Sequence, residues 1–161
     1  MPIVLYRVDE RLIHGQVVVG WGGPLNADRV MVVDDEIADS PWEQELYCLG
    51  VPPEIEASFS SVADARRALD GWRGSPRRLI ILVRNVETLQ RLADDERLQG
   101  ERVNLGGLHH TEGRRRVLPY LFLSDTDRIA LAAVAAQGVE ISAQDLPGSR
   151  SVPLDQLLND S

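Results

Sequence analysis

Lysine is absent from this chain of 161 residues, and all 17 basic residues are arginine. The absence excludes a Walker-type phosphate loop and Schiff-base chemistry, both of which need a lysine amine. Any fixed cationic contact to a phosphate must therefore come from arginine, whose planar fork binds it through two parallel hydrogen bonds. Cysteine occurs once, at Cys48, which rules out an internal disulfide or a multi-thiolate metal centre within one chain and fits a reducing compartment. No apolar run approaches the roughly 18–20 residues that span a bilayer, and the N-terminus lacks the basic-then-apolar pattern of a signal peptide. A soluble, cytoplasmic protein is expected. The formal charge of −8 argues against a nucleic-acid partner. With 43% hydrophobic residues the chain is expected to fold, and its length suits one domain, 1–161, burying roughly two thirds of its unfolded surface.

What is present is an alternation of short apolar runs with amphipathic stretches. Strands are expected at Ile3–Val8, Arg29–Val33, Ile55–Phe59, Leu79–Val83, Val103–Leu105, Val117–Leu123 and Val139–Ala143. The helices between them carry start signals. Ser40-Pro41-Trp42-Glu43 reads as a capping box with proline at the first helical position. Ser61 and Ser124, each with an aspartate three residues on, and Asn85 read as N-caps. Gly138 suits the glycine position that closes the alanine-rich helix Asp127–Gln137. Consecutively apolar runs separated by helices predict an α/β fold, a single open, mainly parallel sheet with helices on both faces. Between Val103 and Val117 no helix is readable, so an antiparallel or edge addition is expected there.

The densest chemistry stands in Arg7-Val8-Asp9-Glu10-Arg11-Leu12-Ile13-His14-Gly15-Gln16, directly after the first strand. In an open α/β sheet that turn lies at the carboxyl edge, where ligands bind. A lone histidine is more often structural than catalytic, but His14 sits before Gly15, which permits close backbone approach, and before a helix whose amides would face an anion. Its ordinary pKa leaves it neutral enough to attack phosphorus, with Asp9 or Glu10 holding one ring nitrogen protonated. Arg7 and Arg11 suit the spread negative charge of a phosphoryl transition state. The rival reading pairs both arginines with Asp9 and Glu10; it is as good for Arg7, less so for Arg11. Gly106-Gly107 would serve as a supporting anion nest or as an ordinary turn. His109-His110 lacks the acidic company of a metal site, so no metal is expected. Gly20-Trp21-Gly22-Gly23 falls too late for a dinucleotide fingerprint, and Arg114-Arg115-Arg116 reads as a solvated turn.

The segment Arg7–Val17 resembles the hallmark R-(I/V)-D-D-R-L-I-H-G-Q-V of the phosphotransferase-system enzyme IIB components of the mannose/fructose/sorbose class. The likeness extends through Val32-Val33-Asp34-Asp35-Glu36-Ile37-Ala38, Pro52-Pro53, Asn104-Leu105-Gly106-Gly107 and Gly138-Val139-Glu140. Glu10 stands where the hallmark has its second aspartate, and Gly22-Gly23-Pro24 weakens a helix end. The resemblance implies a phosphocarrier of the protein-N(pi)-phosphohistidine–sugar phosphotransferase type. His14 would take a phosphoryl group from a phosphorylated IIA component and pass it to a hexose-type sugar during import. Arg7 and Arg11, with Gly15, would bind that group, and Asp9 would orient the imidazole. The partners implied are IIA, the membrane components IIC and IID, which would hold the protein peripherally at the inner membrane, and the sugar; no cofactor is implied, and a homo-oligomer stays open. Two rivals stand beside this: a regulatory phosphocarrier that signals without transport, and a module whose His14 binds an anion without becoming phosphorylated.

Overall fold

The computed structural model describes residues 2–159. Its main sheet has seven strands in the order β3-β2-β4-β1-β5-β8-β9. These are β1 (Ile3–Val8), β2 (Arg29–Val33), β3 (Glu56–Ser60), β4 (Leu79–Val83), β5 (Arg102–Leu105), β8 (Glu140–Ala143) and the two-residue β9 (Val152–Pro153). All neighbours pair in parallel except β9, which runs antiparallel to β8. Side-chain alternation splits the consecutively apolar strands between two cores. Met31, Val33, Leu79, Ile81 and Val83 face α3 (Val62–Gly74), α4 (Val86–Ala93), α5 (Asp125–Ala136) and α6 (Leu154–Asn159). Val30, Val32, Ile80 and Leu82 face a six-residue π-helical turn, Gln16–Trp21, with α1 (Asp35–Ala38) and α2 (Pro41–Cys48). The expected open parallel sheet, covered on both faces, is what forms.

Several local expectations need correction. Val117–Leu123 is not one strand but parts of two. β6 (Arg114–Leu118) and β7 (Leu121–Ser124) form a separate antiparallel hairpin around Pro119-Tyr120, so the described residues hold a second, two-stranded sheet beside the main one. Arg114–Arg116 accordingly lies in a strand, not a turn. β9 and α6 carried no sequence signal strong enough to read. Ser40 precedes α2, but its hydroxyl makes no cap hydrogen bond. Its N–H is already bonded to Ile37 O at the end of α1, and the junction is held by Gln44 Nε2 on the carbonyls of Ile37 and Ala38. Ser61 and Asn85 do cap α3 and α4. Ser124 and Asp127 form a reciprocal capping box that starts α5 two residues before the expected Asp127, and Gly138 follows that helix at φ +92°. Ser124→Ala should therefore lower stability by about 1 kcal/mol, read by urea denaturation. A change near zero would show that packing of α5 alone sets its start.

Among the described residues no helix is long and apolar enough to cross a membrane. The carboxyl ends of β1, β4 and β5 converge on one edge, and the loop after β1 rises from it.

Candidate active site

The loop is built from backbone hydrogen bonds to both neighbouring strands. Asp9 N donates to Val83 O at 2.9 Å, Glu10 N to Gly107 O at 2.9 Å, and Gly106 N to Val8 O at 2.7 Å. Leu12 N then donates to Asp9 O, closing a turn in which Leu12 adopts φ +55°. A leucine in the left-handed region costs on the order of 1 kcal/mol. Its side chain is fully buried with Ile13 and Val17, and that packing holds the strained backbone. The chain leaves the turn aimed so that His14 stands directly before the π-helical turn.

Asp9 is the hub. It is fully buried, and its two oxygens receive Arg7 Nη2 at 3.3 Å, Arg11 Nε and Nη2 at 3.2 Å each, and the Arg11 backbone N–H at 3.1 Å. Burial by itself would push this carboxyl up, but the Arg11 hydrogen bonds and the Arg7 charge outweigh it, and the net pKa is lowered. His14 Nε2 lies 3.6 Å from Asp9 Oδ2, buried and without a hydrogen-bond partner, while the side chain as a whole is 20% exposed. Glu10, the alternative orienting group, instead contacts His109 Nδ1 and lies 3.7 Å from Arg114 Nη1.

The two arginines separate. Arg11 is 44% exposed and flanks the His14 loop. Arg7 is buried, its pKa lowered by burial, and its guanidinium is committed to Asn104 Oδ1, Gln144 O (2.8 Å), Asp145 O (3.0 Å) and Asp9, with the Trp21 ring 5.1 Å away. The expectation that Arg7 binds phosphate therefore gives way to one in which it anchors Asp9. Gly106 likewise does not act as an anion nest. Its N–H is spent on Val8 O, and a Cβ there would stand 2.3 Å from Arg7 Nη2 and 2.6 Å from Asp9 Oδ2. A Cβ on Gly107 would lie 3.2 Å from Arg11 Nη2. The glycines make room for the arginine–aspartate cluster. Gly15 has open space around it. The helix expected to present amides to an anion is the short π-helical turn, whose amides at Val17 and Val18 return to His14 O. Asn104 and Trp21 were not singled out as site residues. A polar residue buried inside the apolar run of β5 was the readable signal for Asn104; Trp21 had none.

Burial lowers the His14 pKa below 6.5 and the Arg11 charge adds to this, while Asp9 opposes it; the net shift is downward. The imidazole is thus neutral at neutral pH. A depressed histidine makes the unfolded chain the better proton acceptor, so this contribution to stability is present above 6.5 and is lost as pH falls below it. The pH profile of any reaction at His14 should be level through neutral pH and fall only below 6.5, measured as initial rate. An inflection above 6.5 would mean that Asp9 stabilises the imidazolium instead. Among the described residues no three His, Cys, Asp or Glu side chains cluster to hold a metal.

Comparison with known proteins gives this arrangement its family. Residues 3–161 match the family model described as PTS system sorbose subfamily IIB component. The chain is 32% identical to the N-acetylgalactosamine-specific phosphotransferase enzyme IIB component 2 of Escherichia coli, over 98% of this chain and all of the relative. It is 29% identical to the fructose-specific EIIB component of Bacillus subtilis, over 98% and 96% of the two chains. Against the mannose-specific EIIAB component of Escherichia coli identity is 28% over 99% of this chain, which spans 49% of that longer protein. The crystal structure of the N-acetylgalactosamine-specific IIB component 1 of Escherichia coli superposes with a TM-score of 0.85 at 26% identity, covering 93% and 97%. The IIB domain of the sorbose permease of Klebsiella pneumoniae shares the fold at a TM-score of 0.89 and 23% identity, covering 100% and 99%. The chain belongs to the sorbose-subfamily IIB components of the sugar phosphotransferase system.

Proposed function

We propose that this protein carries a phosphoryl group on His14, taking it from a phosphohistidine of a IIA component and giving it to a sugar as the membrane components IIC and IID import it. The observation that carries this reading is His14 itself, neutral, partly exposed, and turned with Nε2 buried against a carboxylate that two arginines hold charged. That leaves Nδ1 as the nucleophile. Its lone pair forms the new N–P bond as the donor's N–P bond breaks, and the donor imidazole leaves with the electron pair. The Nε2 proton stays on His14, and the positive charge the ring acquires is balanced by Asp9. Arg11 stabilises the charge spread over the transferring oxygens. Arg7 works at one remove, fixing Asp9. The relatives' names point to a hexose or hexosamine as the sugar class, and the mannose-specific EIIAB relative supports a IIA partner.

The test is incubation with labelled phosphoenolpyruvate, the general phosphotransferase proteins and the cognate IIA. Acid-labile, alkali-stable label is expected on the wild type and none on His14→Ala. No label, with a IIA shown to phosphorylate another IIB component, would leave only non-covalent anion binding.

A further inference from the structure

The α2 helix is anomalous for a protein with two well-filled cores. None of its residues is buried. Trp42, Leu46 and Leu49, at i, i+4 and i+7, are 65%, 56% and 84% exposed, so one helix face presents a large apolar surface to solvent. That face does not stand alone. Trp42, Leu46 and Tyr47 line a groove of about 350 Å³ whose far wall is Ile13, the residue before the nucleophile. Gly50 closes it, with its Cβ position 3.8 Å from Ile13 Cγ2. The groove thus reaches the residue that precedes His14 in the chain.

Acidic residues outnumber basic ones around it, although Arg84 acts on the groove-lining Tyr47. Between Val30 and Ala65 the chain has nine acidic residues and no basic one. Arg77, Arg84 and Arg91, reaching in from other segments, pair with Glu56, with Asp34 and Glu36, and with Asp35. Asp39, Glu43, Glu45 and Glu54 make no ion pair among the described residues. On the other flank of the loop the hairpin is closer to balance: Arg114 lies near Glu10 and Asp127, and Arg115 pairs with Asp125. An apolar centre in an acidic rim selects a partner with an apolar patch in a basic rim.

We infer that the α2 face, Trp42, Leu46 and Leu49 with the groove to Ile13, is the surface by which this protein docks on the cytoplasmic loops of its membrane acceptor. The inference rests on the phosphocarrier reading above. Cytoplasmic loops next to membrane-spanning helices carry an excess of lysine and arginine, which supplies the basic rim. Anionic lipid headgroups repel the same acidic surface, so the contact is with protein rather than with lipid. A tryptophan at the centre of such a patch is the residue type that dominates interface energies. Docking there brings the acceptor against the loop segment that carries Ile13 and His14.

The double variant Trp42→Ala/Leu46→Ala and the single variant Glu45→Arg alter only side chains outside the cores. Sedimentation with inverted vesicles containing the cognate IIC and IID, against vesicles lacking them, reads the docking step; uptake of label from phosphorylated IIA reads the donor step. Expected is at least about tenfold weaker sedimentation for the double variant, weaker and less salt-sensitive binding for Glu45→Arg, and unchanged label uptake by both. Unchanged sedimentation overturns the inference. So does reduced label uptake with normal sedimentation, which would give the face to the IIA donor. Absence of label on the wild type would instead remove the phosphocarrier reading, and this inference with it.

Discussion

Asp9→Ala is expected to destabilise the fold by about 3–5 kcal/mol, the loss seen when one member of a buried ion pair is removed and the other stays. Arg7 is the member that stays. Its guanidinium is buried, and without Asp9 its hydrogen-bond partners are the neutral oxygens of Asn104, Gln144 and Asp145, with the charge of the Asp145 carboxylate as a weaker offset. Arginine cannot shed its charge to escape. Arg11 would lose its contacts to Asp9 as well, but it is partly in water and suffers less. Urea denaturation of Asp9→Ala beside Asp9→Asn separates the causes. The asparagine keeps an acceptor oxygen but no charge, so it should fall between alanine and wild type. A loss below about 1 kcal/mol for the alanine variant would show that the carbonyl oxygens around Arg7 alone compensate its charge.

Arg11→Ala should have the opposite profile. Phosphoryl transfer to His14 is expected to slow by about 10²- to 10³-fold, the range for removing one donor aimed at transition-state charge. Stability should fall by no more than about 1–2 kcal/mol, because the side chain is nearly half exposed and the Arg11 backbone N–H stays on Asp9. Single-turnover label transfer from phosphorylated IIA, together with a denaturation curve, decides the matter. If transfer falls only as far as the folded fraction does, Arg11 is a structural partner of Asp9.

The contrast between these two variants shows what a linear reading of the chain reaches. The strands β1, β2 and β4 stand out because each is a consecutively apolar run bounded by breakers, and the His14 loop stands out because five chemically active residues fall within eight positions. Pairing of Arg7 with Asp9 was one of two readings the sequence left open, but its burial and its other partners were not legible. Those partners lie 97, 137 and 138 residues further along, and no local pattern records them. The turn at Leu12 was hidden for a related reason. A positive φ is ordinarily signalled by glycine or asparagine, whereas here burial of a leucine enforces it. The hairpin was misread because Pro119-Tyr120 interrupts an otherwise apolar stretch without any glycine. α2 was located by the start signal Ser40-Pro41-Trp42-Glu43, but only the structure shows that its apolar side is turned outward.

The reach of Arg7 across the chain has a consequence for synthesis. During translation Arg7 is made 137 residues ahead of Gln144, a delay on the order of ten seconds at typical elongation rates. Through that interval the Arg7 cation has Asp9 and, once β5 is made, Asn104, but not the two carbonyls that complete its contacts. The set of contacts that holds Arg7 beneath the nucleophile's loop is therefore complete only when the segment after the last parallel strand docks. Nascent chains that stop short of Gln144 should be open and open to proteolysis, not partly active. The last support of the site arrives only with Gln144 and Asp145.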